Sequence, residues 1–181
     1  MDRFEVTTAG FGGQGVVTIG RLLAEAATRQ YKHVFYFPSY STEQRGGNVA
    51  CTTVITNDEL GLQPRYNIPA AILLSPTAMA EMEKRMEPGG MMFVNSSMIP
   101  GKVSREDIKA FYIPATKAAL EMGERQIANF ILLGAFLEAT KAIPFEDVEE
   151  ALDKKMAGKE HLLSMNKQAL RKGADLIANY Q

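Results

Sequence analysis

The stretch "TTAGFGGQGVVTIGRLLAEAA", Thr7–Ala27, decides the fold, because a short apolar run meets four glycines and then takes on a helical pattern. The run "RFEVTTAG" predicts a first β-strand. From Val16 onward apolar residues recur at helical spacing, which predicts a first helix ending at about Gln30. A strand, a glycine-rich loop and a helix in this order are typical of α/β proteins.

The glycines Gly10, Gly12 and Gly15 match the spacing G-x-G-x-x-G of dinucleotide-binding loops. Such a loop is normally followed, about 20 residues later, by an acidic residue that binds the ribose hydroxyls at the end of the second strand. The sequence has "FPSY" there, at residues 37–40, and Glu43 comes late, inside the next loop. The missing carboxylate argues against an NAD-binding loop.

Gly13 and Gln14 add an extra glycine and a side-chain amide to this loop. They suggest a loop that lies flat against a neighbour and presents backbone N–H groups and one amide to it. The N-terminus of the following helix favours an anion. Three interpretations stay open at this point: a phosphate or pyrophosphate ligand, a tight turn that only allows close packing, and a protein partner.

The second candidate loop is "PSYSTEQRGGNVA", Pro38–Ala50, which follows the second predicted strand. It should lie beside the glycine loop, at the edge where open α/β sheets bind their ligands. Arg45 can bind a carboxylate or phosphate through two parallel hydrogen bonds. The alternative is a solvated turn in which Glu43 and Arg45 pair locally. The candidate binding residues of this loop are Ser41, Thr42, Glu43, Arg45, Gly46 and Gly47.

A third candidate is the stretch "VNSS", in which Asn95 and Ser96 end a predicted strand at the same edge of the sheet. By itself this signal is weak, because asparagine and serine are common wherever a strand runs into a turn. The sequence offers no general acid, base or nucleophile and no set of metal ligands, so we predict neither catalytic nor metal-binding residues in this chain.

Strand-like and helix-like runs alternate along the chain. "HVFYFP" predicts a second strand that ends at Pro38, and "NVACTTVIT" predicts a third. The runs "AAILLS", "PGGMMFVNSS" and "FYIPA" predict further strands, with a helix over "SPTAMAEMEKRM", and helical patterns dominate from Ala118 onward. We therefore predict an α/β fold: a three-layer sandwich with a mainly parallel or mixed central sheet and a helical C-terminal third.

The composition predicts one globular domain over residues 1–181, with 46% hydrophobic residues and a net charge of −1. A nearly neutral chain is a poor nucleic-acid binder, and no apolar run reaches the roughly 20 residues of a membrane span. The N-terminal "MDRFEV" does not fit a signal peptide, so we expect a cytoplasmic protein. Cys51, the single cysteine, is interpreted as a small apolar strand residue.

Four stretches, in this order, resemble the gamma subunit of the 2-oxoacid:ferredoxin oxidoreductases: "GFGGQGVVTIGRLLAEAA", "PSYSTEQRGGNVACTTVI", "PGGMMFVNSSMIP" and "NFILLGAF". The resemblance covers nearly the whole chain, and Asn129 matches the asparagine of the family's "N…LG" segment. The "PSY…E…RGG" loop is more similar to the 2-oxoglutarate and branched-chain enzymes than to the pyruvate type, although the family's loop often has glycine in place of Ser41.

The resemblance implies a component of a larger enzyme. Complexes of this family decarboxylate a 2-oxoacid on thiamine diphosphate with Mg²⁺, pass electrons through iron–sulfur clusters to ferredoxin, and release an acyl-CoA. The chain itself is expected to carry no cofactor, since one cysteine cannot hold a cluster. The implied partners are the alpha and beta subunits, with a ferredoxin-like delta subunit in some complexes. The implied role is to complete the active site and help to admit or bind coenzyme A, with Gly12, Gly13, Gln14 and Gly15 as contacts and Arg45 as the anion-binding group.

Three other hypotheses stand beside this one. The related beta subunit of indolepyruvate:ferredoxin oxidoreductase shares the "RGG" ending but usually has a histidine-containing loop where this chain has Tyr40. A stand-alone nucleotide-binding protein predicts that the isolated chain binds free dinucleotide. A non-catalytic scaffold predicts that the glycine loops only pack against other proteins.

Overall fold

A six-stranded sheet forms the centre of the protein in the computed structural model, which describes residues 3–41, 47–58 and 63–180. The strands are β1 (Arg3–Phe11), β2 (His33–Tyr40), β3 (Asn48–Thr56), β4 (Ile68–Leu73), β5 (Met86–Asn95) and β6 (Lys109–Ile113). The helices are α1 (Val16–Ala27), α2 (Pro76–Arg85), α3 (Ala115–Glu121), α4 (Ala128–Thr140), α5 (Phe145–Lys155) and α6 (Glu160–Ala178), with a 3-10 turn at Arg125–Ile127.

The strand order is β2-β3-β1-β4-β5-β6, and the sheet is mixed. Strands β1, β4, β5 and β6 run parallel, whereas β3 is antiparallel to both of its neighbours. The reason is local: β2 ends at Tyr40 and β3 begins at Asn48, too short a connection for the crossover of about a dozen residues that parallel strands need. The backbone N–H of Ser41 donates to the carbonyl of Asn48 at 2.9 Å, which closes this pair of strands.

The sheet separates two apolar clusters, because successive strand residues point to opposite faces. Ile72 and Phe93 lie in the larger cluster, which is built with residues of α1, α3, α4, α5 and α6. Leu73 and Val94 lie in the smaller one, which is covered by α2 and by Ile99. The α/β prediction with a mixed central sheet and a helical C-terminal third is confirmed. None of the helices in the described ranges is long and apolar enough to cross a membrane.

The prediction that β2 ends at Pro38 was wrong, because the strand continues to Tyr40. β2 is an edge strand, paired only with β3 among the described strands. A proline has no N–H for a ladder, and an edge strand tolerates this because one of its sides has no partner strand.

The segment between β5 and β6 is fastened to α2 by one carboxylate. Glu83 Oε1 accepts the backbone N–H of Ser104 at 2.6 Å, the Ser104 hydroxyl at 2.7 Å and the N–H of Arg105 at 3.1 Å. Partial desolvation alone would raise the pKa of Glu83, but these hydrogen bonds and the Arg105 charge outweigh it and hold the pKa below its usual value of 4.5.

Glu83→Ala should lower the free energy of unfolding at pH 7 by about 1 kcal/mol, since this exposed site is partly screened. Because the pKa of Glu83 is lower in the folded than in the unfolded protein, the carboxylate stabilises the fold at pH values above its unfolded-state pKa. This stabilisation is lost as the pH falls through the folded-state pKa. The difference between wild type and variant should therefore shrink below about pH 4.5 in urea titrations. Glu81→Ala, an exposed neighbour on α2, is the control. A difference that is unchanged at low pH would contradict this role of the carboxylate.

Candidate functional site

The candidate site lies at the carboxyl edge of the parallel strands. In the register of the sheet, Ala9 of β1 pairs with Leu73 of β4, and Leu73 pairs with Val94 of β5, so these strands end side by side. Helix α1 begins at this edge after β1, and α3 begins there after β6. Open α/β sheets bind ligands at this edge because loops and helix N-termini converge on it.

The glycine loop, residues Gly12–Gly15, connects β1 to α1. Gly15 is the N-cap of α1 in the left-handed conformation, with φ of 77°, and a Cβ there would lie 2.1 Å from Nδ2 of Asn129. Gly13 also has a positive φ, of 91°, but a Cβ there would meet no atom of the described residues within 4 Å. The chain's own packing therefore explains Gly15, whereas Gly13 leaves its backbone open on one side.

Gln14 binds the protein's own backbone through both ends of its amide. Its Oε1 accepts the N–H of Phe11 at 2.7 Å, and its Nε2 donates to the carbonyl of Leu74 at 3.1 Å. A Cβ at Gly10 would come within 2.5 Å of the same Oε1, so residue 10 has to be small. The Gln14 side chain thus fastens the glycine loop across the ends of β1 and β4. Its second amide hydrogen has no partner in the described part of the chain.

Asn129 fixes the other side of the loop. It lies in the first turn of α4, is 4% exposed, and its Nδ2 donates to the carbonyl of Gly15 at 3.4 Å. Its Oδ1 accepts the N–H of Phe130 at 2.9 Å. A buried amide needs such partners, and here they join the C-terminal helices to the loop.

The flanks of the second loop lie beside the first, as predicted. The N–H of Gly12 donates to the carbonyl of Gly47 at 3.0 Å, and Phe11 pairs with Asn48 at the start of β3. Ser41, at the other flank, is exposed. The remaining candidates of this loop lie outside the described residues: Thr42, Glu43, Arg45 and Gly46.

Asn95 ends β5 at the same edge and is 1% exposed. Its Nδ2 donates to Oγ1 of Thr116 at 2.8 Å, and its Oδ1 accepts the Thr116 N–H at 3.3 Å. Ser96 binds through its backbone N–H to the carbonyl of Ile113 at 2.9 Å, and it does not line the cavity that Asn95 faces.

Two cavities flank the glycine loop. The first, of about 240 Å³, has ten lining residues, which include Gly13, Gln14, Asn95, Thr116, Arg125 and Asn129. The second, of about 280 Å³, is bounded by the first turn of α1 and by Tyr40, whose side chain is exposed. Of these residues, Thr116 and Arg125 were missed in the sequence, where neither belongs to a glycine-rich or otherwise recognisable motif.

A larger groove of about 740 Å³ lies between α4, α5 and α6, away from the glycine loop. It is an open surface groove, and its basic residues are already paired, Lys141 with Glu138 and Arg171 with Glu149. We place the candidate site at the glycine loop because convergent, incompletely bonded polar groups define a binding site better than volume does.

Two titratable groups in the interior are poor candidates for chemistry. Burial raises the pKa of the Cys51 thiol to about 12. The sulfur packs so closely against Gly20 that a Cβ on this glycine would lie 2.4 Å from it. Burial also raises the pKa of Glu5, against the opposing effect of hydrogen bonds from Arg3 and the Arg65 backbone. Within the described part of the chain, no three His, Cys, Asp or Glu side chains form a cluster that could hold a metal ion.

The mixed sheet, with a glycine loop and the flanks of a second loop meeting at its carboxyl edge, defines an α/β protein with its candidate site at that edge. Within this class, the chain belongs to the pyruvate ferredoxin/flavodoxin oxidoreductase family, whose model matches residues 5–176.

Its relatives are subunits of oxidoreductase complexes. The chain is 32% identical over 172 residues to ketoisovalerate oxidoreductase subunit VorA of Methanothermobacter thermautotrophicus, covering 94% of this chain and 35% of VorA. It is 30% identical over 184 residues to the pyruvate/ketoisovalerate oxidoreductases common subunit gamma of Thermococcus litoralis, covering 98% of each. The family resemblance predicted from the motifs is confirmed.

The fold matches a solved structure over the full chain. The 2-oxoglutarate:ferredoxin oxidoreductase of Magnetococcus marinus, determined with 2-oxoglutarate, coenzyme A and succinyl-CoA bound, superposes with a TM-score of 0.90 at 24% identity, covering 100% of this chain and 32% of that one. The chain therefore spans about a third of the length of VorA and of the Magnetococcus chain, and nearly all of the Thermococcus subunit.

Proposed function

We propose that residues 1–181 act as the gamma domain of a 2-oxoacid:ferredoxin oxidoreductase, in which they complete the active site formed with other subunits. The observation that carries the proposal is the hydrogen bond from Gly12 to Gly47, which joins the glycine loop to the flank of the "RGG" loop at one edge of the sheet. These are the two motifs on which the family resemblance depends, and their meeting supports a single shared binding surface.

The proposed partners are alpha and beta subunits that carry the cofactors, a ferredoxin-like delta subunit in some assemblies, and ferredoxin as electron acceptor. Thiamine diphosphate with Mg²⁺ would supply the decarboxylation chemistry, and iron–sulfur clusters the electron transfer. The residues of this chain do not fit a cluster, which takes about four cysteine ligands, because Cys51 is the one cysteine of the sequence and is buried.

The proposed contribution of this chain is to bind and orient the acyl acceptor, coenzyme A. The open backbone at Gly13 and the first turn of α1 offer N–H groups to an anionic part of the ligand. Arg45 would add a charged, forked donor. Gln14 and Asn129 would act as positioning residues, since their bonds to Leu74 and Gly15 hold the loop in place. Ser41, Thr42, Glu43, Gly46, Asn95 and Ser96 complete the proposed contact surface.

For the substrate we propose 2-oxoglutarate, on the likeness of the "PSY…E…RGG" loop to the 2-oxoglutarate and branched-chain enzymes. The relatives are named for different 2-oxoacids: some for ketoisovalerate or pyruvate, others as 2-oxoglutarate synthase subunits. An assay with a panel of acids distinguishes them. The complex would be purified anaerobically through a tag on the full chain and supplied with coenzyme A and a viologen dye. Reduction fastest with 2-oxoglutarate supports the proposal, whereas a preference for pyruvate, ketoisovalerate or indolepyruvate overturns the substrate assignment.

Arg45→Ala should raise the KM for coenzyme A or for the 2-oxoacid by about tenfold or more, because a charge-assisted hydrogen bond contributes about 1.5–3 kcal/mol. If kcat changes little, the higher KM means that Arg45 contributes equally to binding of the ground state and of the transition state. Arg21→Ala, which removes an exposed arginine from α1, is the control and should leave both constants unchanged. Wild-type constants for both substrates in Arg45→Ala would refute the anion-binding role of Arg45.

A further inference from the structure

The 240 Å³ cavity beside the glycine loop is lined by side chains from four separate parts of the fold. Gln14 comes from the β1–α1 connection, Asn95 from β5, Thr116 from α3, and Arg125 and Asn129 from the turn and helix that follow. We propose that this cavity binds a phosphoryl group, with Arg125 supplying the positive charge.

The three amide side chains share one orientation of their hydrogen bonds. In Gln14, Asn95 and Asn129 the amide oxygen accepts a backbone N–H, which fixes which end is oxygen. Each amide nitrogen makes one hydrogen bond to the part of the chain that the structure describes, although it carries two hydrogens. The three amide oxygens thus already accept hydrogen bonds from the protein. The hydrogen bond that each side chain can still offer a ligand is one that its N–H group donates.

The charge of the cavity agrees with this pattern of donors. Arg125 has no carboxylate partner within residues 3–41, 47–58 and 63–180, and its Nη2 lies 3.7 Å from Sδ of Met98, another lining residue. No aspartate or glutamate among the described residues lines the cavity. The adjacent Glu124 is occupied elsewhere, because its Oε1 accepts the backbone N–H of Gln126 at 3.1 Å. A site with donors and one free guanidinium selects an anion.

The arrangement favours a phosphoryl group over a carboxylate. A carboxylate is planar and offers two oxygens, whereas a phosphoryl group offers three terminal oxygens directed to different sides. Donors from the β1–α1 connection, β5, α3 and α4 line the cavity, and their different directions suit the three oxygens of a phosphoryl group. Helix α4 also begins here, and the partial positive charge of its N-terminus acts in the same direction as Arg125.

This inference deepens the proposed function and rests on it only for the identity of the molecule that carries the phosphoryl group, since coenzyme A is the phosphorylated substrate proposed above. Arg125 and the three amide side chains all belong to this chain, so phosphoryl binding can be tested on the chain without partner subunits. The two ideas can therefore fail separately.

The test is calorimetric binding of inorganic pyrophosphate to the purified full chain at constant ionic strength, with succinate as the carboxylate competitor. We expect saturable binding of pyrophosphate, at least tenfold weaker binding of succinate, and at least tenfold weaker pyrophosphate binding by Arg125→Gln. Arg125→Lys should recover part of the affinity, because it restores the charge without the forked geometry. Arg125 is exposed, so its substitution leaves the core intact.

Lys172→Gln is the matched control, because it removes one exposed positive charge from α6, outside the cavity. Equal weakening by Lys172→Gln and Arg125→Gln would mean binding to net charge alone and would overturn the proposal. So would the absence of pyrophosphate binding or an equal affinity for succinate. A further outcome is that Arg125→Gln does not bind pyrophosphate and yet has an unchanged KM for coenzyme A in the assembled complex. This outcome would support the phosphoryl site and show that coenzyme A is not its ligand.

Discussion

Gly134→Ala is expected to lower the free energy of unfolding by about 2–4 kcal/mol, although alanine is the better helix former by about 1 kcal/mol. A Cβ on Gly134 of α4 would lie 1.9 Å from the carbonyl oxygen of Leu170 in α6. The contact is reciprocal, because a Cβ on Gly173 would lie 1.9 Å from the carbonyl oxygen of Ile131. The obstacle in both cases is backbone, which no change of rotamer can move, so the two helices would have to separate and lose packing around them.

Urea denaturation measures this effect, and Gly173→Ala should show a loss of similar size. Gly173→Ser should cost more than Gly173→Ala, because the added hydroxyl increases the overlap. Lys172→Ala, one residue away but exposed, should change the free energy of unfolding by less than about 0.5 kcal/mol. If Gly134→Ala or Gly173→Ala were as stable as the wild type, the close crossing of α4 and α6 would be contradicted.

Gly15→Ala should displace the glycine loop as well as destabilise the protein. The left-handed φ of 77° costs a residue with a Cβ about 1–2 kcal/mol, and contact with Asn129 Nδ2 at 2.1 Å adds to this cost. We expect a total loss of about 2–3 kcal/mol and at least a tenfold loss of coenzyme A-dependent turnover in the assembled complex. Gly13→Ala has the same backbone penalty without a clash, so it should lose only about 1–2 kcal/mol.

A double-mutant cycle isolates the contact between Gly15 and Asn129. In an Asn129→Ala background the clash is absent, so Gly15→Ala should then cost no more than Gly13→Ala does. The same cost for Gly15→Ala with and without the Asn129 side chain would show that this side chain does not contact residue 15. The free energies of unfolding of these variants are measured by urea denaturation of the full chain, and their turnover rates are measured in the assembled complex.

The sequence was sufficient to predict the parts of the fold that depend on neighbouring residues. The strand, glycine loop and helix from Arg3 to Ala27 follow from local spacing, although α1 ends at Ala27 rather than near Gln30. That the second loop would lie beside the first also followed, because strand order and direction limit where a loop can emerge. The continuation of β2 beyond Pro38 could not be predicted from the sequence. A strand tolerates proline where it lies at the edge of a sheet, and its position in the sheet depends on the tertiary structure.

The chemistry of the candidate site was less predictable, because it depends on residues far apart in the chain. The glutamine of the loop motif suggests a ligand-binding amide, yet Gln14 is bonded to Leu74, 60 residues away. Asn129 meets Gly15 across 114 residues. Arg125 and Thr116 belong to no motif, and they become candidates only when the fold brings them to the end of β5. Spacing rules describe a helix or a strand, and they carry no information on such contacts.

The residues in and next to the glycine loop have different roles, which limits where a ligand can contact the loop. Gly10, Gln14 and Gly15 are needed for packing inside the chain, which leaves Gly13 as the loop residue whose backbone is open to a neighbour. The chain thus holds a rigid, donor-rich edge and presents it outward. Such an edge can bind an anionic ligand, and in the function proposed above the bond-making chemistry is left to groups on other subunits.

The most direct test of this account is to produce the partner subunits anaerobically with and without this chain and to add the purified full chain back. The account predicts that coenzyme A-dependent reduction of a viologen dye with a 2-oxoacid is absent without the chain and returns in proportion to the chain added, until the subunits are equimolar. Equal turnover by the partner subunits alone would contradict the claim that this chain completes the active site.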